Sequence, residues 1–242
     1  MNFSILDLHS DYDNIDSRMK LLEDRYALEN QFIEDVSRGF THKAETTLAN
    51  SNLINMEPRT PDSIRNFKNY CIILNTLLRK AAEKGYVHPI HIDKLSASFA
   101  RKIETINSIS VGKSLMHEMV RKYCLLVKNH SMKGYSLLVQ KVITRVDTDI
   151  TENLTLSTLA KHLNVNASYL STLFRKETGQ TLTEYVNNKR IQHALFLLDT
   201  TNMQIQTIAQ HCGIPDINYF TKIFKKHVGI TPSDYKKRIY TI

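Results

Sequence analysis

The chain has 242 residues, 42% of them hydrophobic, with 7 Gly, 5 Pro and no Trp; so few turn formers favour long helices over a many-stranded β protein. No apolar run approaches twenty residues, which excludes a membrane-spanning helix. The acidic start MNFSILDLHSDYDN lacks the basic and apolar regions of a secretory signal, so a cytoplasmic, nucleoid-associated protein is expected. The formal net charge is +8, and 13 Lys and Arg face 8 Asp and Glu from Lys141 onward, against 19 and 16 before it. The C-terminal part is thus the more basic one, which favours a polyanionic partner.

In chain order, residues 15–40 read as one helix, with Gly39 at its C-terminal end. Ile15, Met19, Leu22, Tyr26, Ile33, Val36 and Phe40 keep a 4-3 spacing broken at Glu29, which fits either a coiled-coil seam or a bundle helix. Leu21, Leu28 and Phe32 widen the stripe and favour packing inside a bundle. After the turn-rich NSNLINMEPRTP comes a helix with Ile64, Phe67, Cys71, Leu74 and Leu78 on one face. Asp62 or Ser63 is its expected cap, and Gly85 follows its basic last turn. HPIHIDKLSASFARKIETI and SLMHEMVRKYCLLVKNH are two further helical segments. Residues 1–130 are therefore expected to form a helical bundle serving signal sensing or dimerisation. Cys71, Cys124 and Cys212 have apolar neighbours and no CxxC spacing, so buried thiols in a reducing compartment are expected.

A helix from Tyr135 through Leu138, Val142 and Val146 opens the second region, 131–242, and a repeat follows it. TLAKHLNVNASYLSTLFRKETG from Thr158 returns as TIAQHCGIPDINYFTKIFKKHVG from Thr207. Identical pairs include Ala160/Ala209, Tyr169/Tyr219, Phe174/Phe224, Gly179/Gly229, Thr181/Thr231 and Tyr185/Tyr235, and the apolar positions match as well. In each copy a short helix leads to Asn164 or Gly213, residue types that accept a left-handed turn. Asn166 or Asp216 then caps a second helix that buries Leu170, Leu173 and Phe174, or Phe220, Ile223 and Phe224. The unit reads as a helix-turn-helix, at about 156–177 and again at about 205–227, whose second helix suits the DNA major groove.

The outward face of that helix carries Ser168, Tyr169, Ser171, Thr172, Arg175 and Lys176 in the first copy. In the second it carries Asn218, Tyr219, Thr221, Lys222, Lys225 and Lys226. Hydroxyls and an amide, then cations a turn later, suit base edges followed by phosphates. TEYVNNKRIQHALFLLDTTNMQ, with Tyr185, Ile191, Ala194, Leu195 and Leu198 at helical spacing, reads as a connecting helix. At about 15 residues it would span on the order of 22 Å, enough to hold two recognition helices in successive major-groove segments about 34 Å apart.

Residues from about 137 to 240 resemble the DNA-binding domain of the AraC/XylS family of bacterial transcription regulators, through Ile208, Ala209, Gly213, Tyr219, Phe220, Phe224, Lys225, Lys226, Gly229, Thr231, Pro232 and Tyr235. Ile214 stands where the family usually has Phe, and Asn218 where it usually has Ser. The resemblance implies an all-α protein that binds an asymmetric promoter site, usually to activate transcription alongside RNA polymerase. Residues 1–130 are only loosely similar to the helical N-terminal regions of some Firmicute members. Their expected partners are a second copy of the chain or a small-molecule or protein effector.

Other motifs are weaker. VGKS at 111–114 lacks the phosphate-loop glycine, since Asn107 stands in its place. His88 and His91 in HPIH have no partner at metal spacing and suit a helix-entry turn. His162 and His211 occupy equivalent repeat positions, which points to structure. No nucleophile–base–acid set can be assembled, so no catalytic, metal or cofactor site is expected. A helical module binding an acidic protein is the rival to DNA recognition, with an enzyme in the N-terminal bundle a second alternative.

Overall fold

The computed structural model describes residues 12–50 and 60–240. It divides into two compact units between Lys133 and Gly134. The expected all-α class holds: the described residues contain twelve helices and no strand, with one isolated bridge pairing Val87 and Ser131. No helix among them is long and apolar enough to cross a membrane.

The first unit comprises α1 (Tyr12–Ser37), α2 (Thr41–Asn50), α3 (Ser63–Lys84), α4 (Pro89–Glu104) and α5 (Ile109–His130). Helix α3 lies at the centre. Its Phe67, Cys71, Leu74 and Leu78 share one core with Phe32 and Val36 of α1, Phe99 and Ile103 of α4, and Met116, Met119 and Val120 of α5. A polar chain is sealed within that core. The Tyr123 hydroxyl donates to Asn75 Oδ1 (2.8 Å), and Asn75 Nδ2 donates to Ser96 Oγ (3.1 Å).

The helix expected over 15–40 is α1, which stops at Gly39 as expected and does not run on to Phe40. Gly39, at φ +70°, ends α1: its N–H bonds Val36 C=O and the Phe40 N–H bonds Asp35 C=O, the paired bonds of a Schellman turn. Helix α2 then starts at Thr41. The 4-3 stripe is not wholly absorbed by the bundle either. Phe32 and Val36 are fully buried, but Met19, Leu22 and Tyr26 remain 54%, 48% and 56% exposed. Leu21 and Leu28 are exposed too, so the bundle buries no residue of α1 between Met19 and Gln31.

Asp62, not Ser63, caps α3, accepting from the Ile64 and Arg65 N–H groups. At its other end the left-handed residue is Tyr86 (φ +62°), with Gly85 at an ordinary φ of −76°. Glycine stands at 85 for space, since a Cβ there would meet Ser37 O at 2.7 Å and Val127 Cγ1 at 3.0 Å. His88 Nδ1 accepts from the Ile90 N–H and caps α4, with Pro89 in its first turn. Helix α5 begins earlier than its apolar spacing suggests and contains the whole VGKS stretch. Gly112 is buried against Phe67, 2.6 Å from where its Cβ would sit, so this is a helix contact and not a phosphate loop.

The second unit comprises α6 (Leu137–Thr148), α7 (Leu156–His162), α8 (Ala167–Thr178), α9 (Leu182–Thr200), α10 (Ile205–His211), α11 (Ile217–Val228) and α12 (Pro232–Tyr240). Helix α8 packs on α6, α7 and α9, and α6 packs on α9 as well; α10, α11 and α12 pack around the same α9. The connecting helix has 19 residues, so it spans about 28 Å. Thr181 and Glu184 start it with a capping box, and at α12 the Thr231 hydroxyl likewise accepts from the Asp234 N–H and donates to the Asp234 carboxylate. Phe174 meets Tyr185 edge-on at 5.5 Å, and the matched Phe224 meets Tyr235 edge-on at 5.8 Å. The repeat thus extends from sequence into side-chain packing.

Candidate nucleic-acid interface

Each candidate site is built from a short helix, a tight turn and a longer helix. Ala160 and Ala209 are buried where the two helices approach. After α7, Asn164 takes φ +54°; its N–H bonds Lys161 C=O, and the Val165 N–H bonds Ala160 C=O. After α10, Gly213 takes φ +69°; its N–H bonds Gln210 C=O, and the Ile214 N–H bonds Ala209 C=O. Both turns are therefore Schellman turns with Asn or Gly at the left-handed residue, which settles the last carbonyls of the first helix.

The second helix starts in both copies from a side-chain cap. Asn166 Oδ1 accepts from the Ser168 and Tyr169 N–H groups at 2.8 and 3.2 Å. Asp216 Oδ1 accepts from the Asn218 and Tyr219 N–H groups at 2.9 and 3.1 Å. Leu170 and Phe174, or Phe220, Ile223 and Phe224, are buried on the inner face. Ile214 is 2% exposed, so its departure from the family's usual Phe is a change inside the core. Cys212 is buried beside it, and burial pushes its thiol up to about 12. It packs as an unreactive apolar group, as do the buried Cys71 and Cys124.

On the opposite face, Ser168, Tyr169, Thr172, Arg175 and Lys176 of α8 are exposed, as are Asn218, Tyr219, Lys222, Lys225 and Lys226 of α11. Ser171 and Thr221, at equivalent positions, are only half-buried and sit at the margin of this face. The Thr172 hydroxyl donates to Ser168 C=O at 3.0 Å, so its methyl and remaining lone pairs are what it can offer outward. Two tyrosines at matched positions, 57% and 47% exposed, stand beside the helix starts. Three of the five cations lie on α11, so the second face is the more basic one. His162 and His211 end α7 and α10 and are exposed.

Sequence reading assigned nothing to Arg190. The structure gives it a central place on α9: Nε donates to Ile150 C=O and Nη2 to Glu152 C=O, each at 2.9 Å. Its partners lie 40 and 38 residues away, beyond the reach of any periodicity argument.

Residues 159–238 match the family model described as a helix-turn-helix domain. This C-terminal domain is similar to the helix-turn-helix domains of AraC-type regulators. It is 27% identical over 157 residues to the HTH-type transcriptional activator RhaR of Enterobacter sp. (strain 638), covering 64% of this chain and 55% of that protein. Among solved structures, the C-terminal domain of the response regulator yesN from Fusobacterium nucleatum is 38% identical, with 41% of this chain and 94% of that one covered and a TM-score of 0.37. The C-terminal domain of AraT, a response regulator from Geobacillus stearothermophilus, is 29% identical over 44% of this chain and 88% of that one, with a TM-score of 0.43. The chain spans about half the length of the curated relatives it matches. A helix-turn-helix domain of this type is a DNA-binding one.

Proposed function

We propose that the chain is a sequence-specific transcription regulator that inserts α8 and α11 into successive major-groove segments of one asymmetric promoter site. One observation carries this reading. Two helix-turn-helix units of the same backbone expose faces of the same polar-then-basic order whose individual residues differ. Ser168 is matched by Asn218 and Arg175 by Lys225, so two such faces would read two unlike half-sites. An activating role, with RNA polymerase as the further partner, is supported by the family and by the relative named an activator.

The test is fluorescence anisotropy of the full chain against DNA from its own upstream region and against random duplex. Specific binding is expected, and it should weaken steeply with salt. If Arg175, Lys176, Lys222, Lys225 and Lys226 each neutralise a phosphate, log K falls against log salt with a slope of about −4.5. Equal affinity for every sequence would overturn the reading.

The first unit offers a surface for the expected second copy. Met19, Leu22 and Tyr26 are exposed at coiled-coil spacing, on the stretch of α1 before Phe32 where Leu21 and Leu28 are exposed as well. This is the pattern by which a helix packs against an identical helix. Sedimentation of the full chain should show a dimer that Met19→Glu with Leu22→Glu converts to monomer.

A further inference from the structure

Two reading helices recognise one site only if something fixes the distance and angle between them. In the second unit, α8 packs on α6, α7 and α9, while α11 packs on α10 and α12 and all three pack on α9. The halves are thus joined by α9 and by whatever else bridges them. A contact between a loop and a turn does so. The loop between α6 and α7, which leads directly into the first helix-turn-helix, lies flush against the turn of the second.

Gly213 marks that contact. A Cβ at Gly213 would sit 2.6 Å from Ile150 O, 2.8 Å from Thr151 Cα and 3.0 Å from Arg190 Nη2. The turn of the second copy therefore rests on both the loop and the guanidinium. Arg190 in turn holds the loop: one planar fork spans the carbonyls of Ile150 and Glu152 from the middle of α9. Beside it, Lys189 Nζ pairs with the nearly buried Asp147 of α6 at 2.8 Å. The guanidinium is half-buried, so losing it would leave two carbonyls without their donor in a place water reaches poorly. A lysine keeps the charge but cannot reproduce the two-pronged geometry.

We infer that Arg190 is a positioning residue for bipartite DNA recognition: it clamps the α6–α7 loop between α9 and the Gly213 turn and so sets the spacing of half-sites that the protein accepts. The inference rests on the reading of α8 and α11 as DNA-reading helices. It goes beyond that reading because Arg190 belongs to neither reading face. A residue that merely supported folding would weaken binding to each half-site and to the whole site alike. A clamp on relative orientation should spare each half-site and weaken only their joint use.

The experiment starts from the duplex that the wild-type full chain selects out of a randomised pool. From it come duplexes with either half scrambled, and full duplexes with base pairs inserted between the halves. Wild type should bind the full site far more tightly than either half and lose affinity when the spacing changes. Arg190→Ala and Arg190→Lys should each lose about tenfold or more on the full site, less than about twofold on each half-site, and much of the spacing penalty. Arg190→Lys carries the test if the alanine variant melts early, and circular dichroism checks both. Equal losses on full and half-sites, or an unchanged spacing penalty, would overturn the inference while leaving DNA recognition intact. A wild-type chain that selects no sequence would overturn the DNA reading itself, and this inference with it.

Discussion

The two helix-turn-helix copies share a backbone and differ in how that backbone is held. Asn164 and Gly213 take the same left-handed step within the same pattern of hydrogen bonds. Asn164 points to solvent, whereas Gly213 is walled in by Ile150, Thr151 and Arg190. The local turn asks only for a residue that tolerates positive φ. The surroundings decide whether that residue can have a side chain. Duplication thus preserved the frame, and the position of each copy within the unit set its own steric limits.

The largest expected effect tests whether the frames are equivalent. Phe174→Ala and Phe224→Ala each remove a fully buried ring and should cost about 3–5 kcal/mol. Urea melts of the second unit's signal should give similar losses for both; a gap of more than about 2 kcal/mol would show that the matched edge-on contacts carry unequal weight. The next test addresses the turns. Gly213→Ala must accept both positive φ and a backbone collision, for roughly 2–4 kcal/mol, while Asn164→Ala meets only the φ penalty of about 1 kcal/mol. Equal costs would remove the contrast drawn above. The smallest effect on stability belongs to the exposed faces. Arg175→Ala and Lys222→Ala should leave the melting temperature unchanged and weaken DNA binding, with the expected loss of one phosphate or base contact each. Unchanged affinity in both variants would break the link between these faces and DNA.

Much of the second unit was legible because each signal acted over a few residues. Caps at Asn166 and Asp216, left-handed turns at Asn164 and Gly213, and alternating buried positions need only local spacing. The same is true of Gly39. What escaped was set by contacts far along the chain. Gly85 reads as a left-handed helix end, yet the space between Ser37 and Val127 is what requires glycine, and Tyr86 takes the turn instead. Gly112 reads as part of a broken phosphate loop until Phe67 is seen lying over it. Helix α2 went unread because its ten residues bury only Ala44 and Leu48, too few to show a period. Arg190 carries no local signal, and its meaning depends on two carbonyls about forty residues away.

The sealed chain from Tyr123 through Asn75 to Ser96 has a consequence for the first unit. Each group belongs to a different helix, α5, α3 and α4, and each bond is satisfied only at one axial alignment of its neighbours. Apolar side chains would tolerate a slide of one helix along another; these three would lose their partners in a buried place. They act as a detent, and three helices that oil alone would leave free to creep are held at a single notch.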